Sequence, residues 1–288
     1  MTQQNDFSKG NIPRTITRLA IPMILAMLVN ALYSVVDRIY IGHLSGVGQT
    51  AIAAFSYLVG NGGGPLTSIL RGAKDDEGAE KVLGNSITLL VLFGILVPLI
   101  CFLIQKPVLY LFGASDATYP YAREYITIYL SGSLPVMLTL GLNPFLNAQG
   151  FTRTGMMTVL IGAVCNIVLD PLFIFVFGMG VRGAAIATVI SQTVSAVWVI
   201  AFLLGKKNLI RVRKQFLRLQ RDVSMRIMGL GVSTFIMNLT EAAISAVFNA
   251  SLSRFGGDIY VTVMTVATSV SQLVFMPLSG FAQGAQPV

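Results

Sequence analysis

The chain has 288 residues, of which 54% are hydrophobic and 11% charged, with a formal net charge of +8. A mean hydropathy of +0.74 and repeated apolar runs of about 20 residues exclude an ordinary soluble domain, because such runs cross a bilayer core. The composition therefore predicts an all-α polytopic membrane protein. Its positive charge is expected to set membrane orientation and to contact lipid headgroups, so we expect no nucleic-acid partner.

The N-terminal segment, residues 1–18, is polar and leads into an apolar run without a small-residue cleavage site. We therefore expect no removable signal peptide, and the first helix is expected to direct insertion. Cys101 and Cys165 both lie inside apolar runs, where cysteine behaves as a small hydrophobic residue. Neither a disulfide framework nor a cysteine-based metal site is expected.

About eight transmembrane helices are predicted in chain order. They comprise residues 17–41, 50–70, 84–104, 119–147, 154–177, 183–205, 226–253 and 260 to the end. If the N-terminus is cytoplasmic, about three quarters of the 20 basic residues fall on inside segments. Because inside loops are rich in Lys and Arg, this bias predicts a multi-pass protein of the inner (plasma) membrane with a cytoplasmic N-terminus.

A basic stretch at residues 206–225 separates the first six predicted helices from the last two. Its apolar residues recur at helical spacing, which favours an amphipathic helix on the inner leaflet, while a solvated basic linker is the alternative. In either case we expect a domain boundary there. The first lobe then comprises residues 19–205, and residues 226–288 contain the first two helices of a second lobe.

A weak internal repeat supports this division. Residues 19–22 can be aligned with 230–233, and residues 44–46 with 255–257, at a common offset. The second copy has the same orientation because six spans lie between them, which predicts two parallel lobes. A third pair, residues 62–65 and 284–287, has a larger offset, with the difference near residues 50–55. We therefore expect an internally shortened and C-terminally truncated form of a larger protein, with a chance match as the alternative.

Polar residues at membrane depth form the candidate site. Asn166 and Asp170 are four residues apart in an apolar run, so a helix places them on one face. Asp37 and Thr188 reach the same outer half of the first lobe by helical rise, and Glu241 reaches a similar depth in the second lobe. Such residues normally face a cavity or partner, although hydrogen bonding between neighbouring helices is the alternative reading.

The chemistry of this set favours a small cation or a proton. Carboxylate, amide and hydroxyl oxygens are hard ligands, so we expect a sodium ion at Asp37, Asn166 and Asp170, or proton exchange at the carboxylates. Four bulky side chains are candidates for an adaptable cavity for drug-like compounds, with lipid-facing or core packing as the alternative. They are Tyr33, Met137, Phe145 and Phe173.

Five short motifs carry a resemblance to a known family. They are Leu-Ala-Ile-Pro at residues 19–22, Val-Asp-Arg-Ile-Tyr-Ile-Gly at 36–42, Gly-Asn-Gly-Gly-Gly-Pro at 60–65, Leu-Gly-Asn at 83–85, and Asn-Pro-Phe-Leu-Asn-Ala-Gln-Gly at 143–150. Together they resemble the multidrug and toxic compound extrusion (MATE) family over nearly the whole chain. The resemblance implies a plan of six plus six helices, of which this chain carries one lobe and two helices of the other.

The resemblance also implies a function. Members of this family are secondary active transporters that exchange drug-like organic compounds for protons or sodium. In the family, residues matching Asp37, Asn166, Asp170 and Thr188 are implicated in coupling, and one matching Glu241 in cation binding. The implied partners are small cationic or hydrophobic compounds and membrane lipids, with no cofactor and no obligate protein partner.

Three alternatives to this function stay open. One is a flippase for lipid-linked precursors from the same superfamily, and another is a nonfunctional truncated transporter. A third is an intramembrane enzyme, but the sequence contains neither His-Glu-x-x-His nor Gly-x-Ser-x-Gly. We therefore expect a protein that is not an enzyme.

Overall fold

The computed structural model describes residues 12–41, 46–111, 116, 119–205 and 208–285. These residues form α-helices joined by short connections, and no strand occurs among them. The helices are α1 (Ile12–Ile41), α2 (Gly46–Gly72), α3 (Asp76–Leu111), α4 (Tyr119–Ser131), α5 (Ser133–Ala148), α6 (Thr152–Pro171), α7 (Gly180–Leu204) and α8 (Arg221–Ala285). The all-α prediction is confirmed.

Long apolar helices in the described part of the chain are suited to a bilayer. Four segments are long and apolar enough to cross one, and a fifth is obtained if the bent pair α4 and α5 is one span. Large apolar side chains cover their outer faces; Leu103 is 80% exposed and Val176 is 72% exposed. Because water would not solvate such surfaces favourably, lipid is their natural solvent.

The fourth predicted span, residues 119–147, is two helices rather than one. The chain bends by 61° between α4 and α5. At Gly132, an added Cβ would lie 2.4 Å from Val189 Cγ2, so a close contact with α7 fixes the bend where only glycine fits. Pro135 then supplies no backbone N–H to the first turn of α5, a position where helices tolerate proline.

The seventh and eighth predicted helices also differ from the structure, since residues 226–253 and 260 onward lie within one helical segment, α8. The Gly256-Gly257 pair lies in the gap between those two predicted helices but is helical, and each glycine costs about 1 kcal/mol relative to alanine. Tertiary packing offsets that cost. Gly231 of α8 lies against Leu58 of α2, and Gly280 lies against Ile24 of α1.

Residues 208–220, which we call the connector, form no α-helix. Their only regular element is a 3₁₀ turn at Lys214–Leu217. The connector is docked against α3 and against Gln149, the residue that follows α5, and both Ile210 and Phe216 are buried. Residues 208–220 therefore do not form the amphipathic helix, the basic-linker alternative stays a prediction, and α8 begins at Arg221 rather than at residue 226.

Buried polar side chains hold the connector in place. Asn85 of α3 donates to Phe216 O at 3.3 Å and accepts from Gln220 N at 2.7 Å. Gln149 accepts from the N–H groups of Leu209 and Ile210 at 3.0 and 3.2 Å. Because these bonds reach backbone groups, they replace the helical hydrogen bonds that the connector lacks.

An acidic residue adds a charged contact to the same interface. Glu80 is 5% exposed, and its Oε2 lies 2.6 Å from Arg213 Nε. Its Oε1 accepts from Arg211 N at 3.2 Å. Two cations lie over the Phe216 ring: Lys81 Nζ is 5.6 Å from its centroid and Arg213 Cζ is 6.0 Å from it. A carboxylate this deeply buried is stabilised by such pairing, since an unpaired buried charge is costly.

The glycine-rich stretch at residues 60–64 packs helices closely. A Cβ added at Gly60 would lie 2.8 Å from Gly141 O, and one at Gly63 would lie 2.4 Å from Phe145 Cζ. At Gly62 the obstacle is Ile227 O, at 2.0 Å. The stretch therefore brings α2 into backbone contact with both α5 and α8, as small residues do in membrane bundles.

Candidate functional site

Two of the predicted site residues, Asn166 and Thr188, meet between α6 and α7, and Asp170 is buried one turn further along α6. Asn166 and Asp170 are each 1% exposed, and Thr188 is 2% exposed. Asn166 Nδ2 donates to Thr188 Oγ1 at 3.3 Å, and that hydroxyl donates to Ala184 O at 3.0 Å. The spacing of four on α6 thus places Asn166 and Asp170 on one buried face, and Asn166 joins that face to α7.

The cluster contains the ligand types that a small hard cation prefers. It combines the Asp170 carboxylate, the Thr188 hydroxyl and the Asn166 amide oxygen, and that amide oxygen accepts no hydrogen bond from the described residues. A buried acceptor without a donor is costly, so it is a place where a cation or a water would be bound favourably. The residues fit a sodium ion or a protonated carboxyl group.

The helix changes geometry directly after the cluster. Pro171 ends α6, and Leu172–Val176 form a π-helical segment. Its wider turn is closed by Phe177 N donating to Leu172 O at 3.0 Å. The segment packs on Gly183 of α7, where an added Cβ would lie 2.7 Å from Phe173 O. π segments often occur at functional sites because they are helical turns of marginal stability.

Two predicted residues of α1 cannot be assigned to this cluster. The side chains of Tyr33 and Asp37 lie outside the described residues, although their backbone belongs to α1. α1 packs along α6, so it is the correct neighbour for the predicted contact. The roles of both residues stay predictions.

Glu241 is not part of the cluster formed by α6 and α7. It is exposed on α8, a helix that packs mainly on α1, α2 and α3. The sequence placed it at similar depth in a second lobe, and its role in cation binding stays a prediction.

The predicted cavity residues differ in their surroundings. Met137 and Phe145 are both 0% exposed and belong to the hydrophobic core. Phe173 is half-buried on the π segment, with its ring centroid 5.5 Å from that of Phe177. The burial of Met137 and Phe145 matches the packing alternative, and the drug-cavity role of all four residues stays a prediction.

An open groove that the sequence analysis did not predict lies where α4 approaches the start of α7. It has a volume of about 620 Å³, and it contains an ion pair between Arg182 and Glu124. The residues that line it are Tyr119, Pro120, Arg123, Glu124, Thr127, Ile128 and Arg182. Because the groove joins helices distant in sequence, local patterns could not have predicted it.

Comparison with known proteins identifies the family. The MatE family model matches residues 22–172, which is more than half of the chain. The chain belongs to the MATE family. Its MATE relatives include multidrug export protein MepA of Staphylococcus saprophyticus, which is 25% identical over 293 residues. That match covers 98% of this chain and 65% of the relative, so the chain spans about two thirds of the relative's length.

Solved MATE structures share the fold. One is an outward-facing multidrug resistance MATE transporter of the MOP superfamily, with a TM-score of 0.87 and 26% identity. The match covers 99% of this chain and 65% of that one. Another is a MATE protein in complex with MaD3S, with a TM-score of 0.86, 26% identity, and coverage of 99% and 66%. The resemblance seen in the sequence motifs is therefore confirmed.

Proposed function

We propose that this chain acts in secondary active export of drug-like organic compounds, driven by inward movement of protons or sodium. The observation that carries the proposal is the buried cluster of Asn166, Asp170 and Thr188. A carboxylate inside a membrane helix is expensive unless it binds a cation or proton as part of its function. The MATE and MepA relatives support multidrug export as the function that this cluster serves.

The coupling step follows from the position of the cluster. Binding of a cation or proton neutralises Asp170 and lowers the cost of burying it within the bundle. The π segment after Pro171 is the adjacent turn of α6, so a change in the packing of Asp170 is transmitted to Phe173 and Gly183. α1 packs along the same helix and transmits the change toward the rest of the bundle.

Membrane placement belongs to the same proposal. The distribution of basic residues supports a cytoplasmic N-terminus and a location in the inner (plasma) membrane. A coupled exporter there uses the sodium or proton gradient that the cell maintains across that membrane. The substrates are small cationic or hydrophobic compounds.

Ethidium efflux from proteoliposomes tests the proposal. The chain is reconstituted, the vesicles are loaded with ethidium, and sodium and pH gradients are applied separately in both directions. We expect efflux that depends on one of the gradients. Asp170→Asn should reduce it to the rate of protein-free vesicles, because the amide neither releases a proton nor carries the charge that attracts a cation.

The matched control is Asp222→Asn, the same chemical change at an exposed residue in the first turn of α8. It should retain gradient-driven efflux. Equal efflux by the Asp170→Asn variant and the unmodified chain would contradict the assignment of Asp170. Efflux no faster than protein-free leakage under every gradient would contradict drug export by this chain and favour the flippase alternative.

A further inference from the structure

Buried polar residues continue from the cluster along the interface between α6 and α7. On α6, three buried residues on the same face as Asn166 lie toward the start of the helix: Gly162, Thr158 and Gly155. On α7, the buried polar positions that follow Thr188 are Ser191 and Ser195. Together with one residue of α5 they form a set that we call the polar file: Asn166, Thr188, Ser191, Ser195, Thr158 and Asn147.

Direct contacts join the two helices along this file. At one end of the contact between α6 and α7, Ser195 Oγ donates to Thr158 O at 3.1 Å. At the other end, Asn166 donates to Thr188. Between these two levels stands Gly162, whose added Cβ would lie 2.6 Å from Ser195 Oγ. Consecutive polar groups are about one helical turn apart, roughly 5.4 Å. One water that donates to one group and accepts from the next spans such a distance.

The file ends at the hairpin between α5 and α6 in oxygens that lack donors. Asn147 is 3% exposed, and its Oδ1 lies 2.5 Å from the position of a Cβ built on Gly155. Asn143 Oδ1 lies 3.1 Å from the same position. Neither oxygen accepts a hydrogen bond from the described residues. Two buried amide oxygens beside a glycine therefore lie at the end of the file opposite Asp170.

We propose that the polar file is the route by which the coupling ion travels between Asp170 and the end of the bundle formed by the α5–α6 hairpin. The inference rests on the proposed function, since it supplies a path for the ion that the cluster binds. The ion is a small hard cation, either sodium or a proton carried on water. Its partners along the route are hydroxyl and amide oxygens, which coordinate either one.

Close packing is the competing explanation for these residues. Small residues at helix interfaces bring helices together, and the Thr158 hydroxyl donates to Thr154 O at 3.1 Å within its own helix. A hydroxyl rotates, however, so it can serve its helix and also accept from a passing ion or water. The two explanations predict opposite orders for the efflux rates of Thr158→Val and Thr158→Ser.

Access by silver(I) tests the route without requiring transport. In a background with Cys101→Ala and Cys165→Ala, single variants Thr158→Cys and Ser195→Cys are reconstituted and exposed to silver nitrate in chloride-free buffer. The control is Thr193→Cys, on the exposed face of the same helix α7. We expect modification at the file positions to be about tenfold faster or more than at the control, because an ion in hydrocarbon costs several kcal/mol.

The readout is the mass shift of each variant with time, measured on protein that elutes as a single species in detergent. Modification of Thr158→Cys and Ser195→Cys no faster than Thr193→Cys would overturn the route. The result does not depend on whether the chain exports drugs. The silver assay therefore distinguishes a chain that does not export drugs from a polar file that ions do not enter.

Transport kinetics give the second test. Thr158→Val keeps the shape of threonine without the hydroxyl, whereas Thr158→Ser keeps the hydroxyl without the methyl group. We expect Thr158→Val to slow gradient-driven ethidium efflux roughly tenfold while Thr158→Ser remains within about twofold, since a polar group in the path stabilises a desolvated ion. A packing role predicts the reverse order, because Thr158→Ser removes a buried methyl group and leaves a cavity, whereas Thr158→Val fills the same space.

The matched control for the transport test is Thr193→Val. Thr193 Oγ1 makes the same kind of bond to the carbonyl four residues earlier, donating to Val189 O at 2.7 Å. It should leave efflux unchanged. A slow Thr158→Ser variant with a fast Thr158→Val variant would overturn the proposal, whichever gradient drives the efflux. Comparison of the sodium and pH gradients identifies the ion that uses the route.

Discussion

Removing the amide of Asn85 should release the connector from α3. Asn85 is 0% exposed, accepts from Gln220 N at 2.7 Å and donates to Phe216 O at 3.3 Å. In Asn85→Ala the short bond to Gln220 N is lost, at about 1 kcal/mol, and leaving its N–H without an acceptor adds about 1–2 kcal/mol. Asn85→Ala should therefore destabilise the docked connector by roughly 2–3 kcal/mol.

Hydrogen exchange measures this cost directly. An opening free energy lowered by that amount corresponds to roughly 30- to 150-fold faster exchange, since each 1.4 kcal/mol is a factor of ten. We expect this acceleration at the amides of Leu217 to Ser224, with little change in α6 and α7. The measurement is mass spectrometry of peptides from chain reconstituted in nanodiscs.

The matched control is Asn238→Ala, because in the described part of the chain Asn238 donates to Thr234 O of its own helix, at 2.8 Å, and to no group of the connector. Exchange in the connector should be unaffected by that change. If Asn85→Ala altered connector exchange by less than about twofold, the buried amide would not be what docks the connector, and the estimate from hydrogen-bond loss would be wrong.

Two further substitutions, each with a matched control, test packing. Gly84→Ala places a Cβ 2.5 Å from Phe216 O, so it should lower stability by about 1–3 kcal/mol and reduce the melting temperature in detergent. Gly72→Ala, which meets nothing within 4 Å, should not reduce it, and equal melting of the two variants would refute the packing argument. Phe145→Ala, at a position that is 0% exposed, should cost about 3–5 kcal/mol in denaturant unfolding. Phe175→Ala, at a position that is 64% exposed, should cost far less; a similar loss in both would contradict the assignment of the core.

Local patterns were sufficient where the structure depends on neighbours in sequence. The third predicted span, residues 84–104, lies within α3, which is longer because its polar ends continue the helix. Asn166 and Asp170 meet because a spacing of four fixes one face of any helix. The sequence could also predict that Thr188 lies near them, since its depth follows from helical rise.

Contacts between distant residues account for what the sequence did not predict. The bend at Gly132 depends on Val189 of another helix, and no local signal near Gly132 contains that information. The connector has apolar residues at helical spacing, yet Asn85 and Gln149 bind its backbone in a non-helical form. Tertiary hydrogen bonds therefore override a periodic pattern that would otherwise favour an amphipathic helix.

The docking of the connector has a consequence for which mutations it can accept. Asn85, Gln149 and Thr88 contact peptide groups of the connector, with Thr88 Oγ1 donating to Leu217 O at 2.6 Å. Because these three contacts reach backbone groups, they do not depend on which side chains the bonded connector residues carry. Part of what shapes the segment therefore lies outside it, in α3 and in the residue that follows α5. Most replacements at residues 209 and 220 should preserve its path, whereas proline there would delete an N–H that the helices recognise.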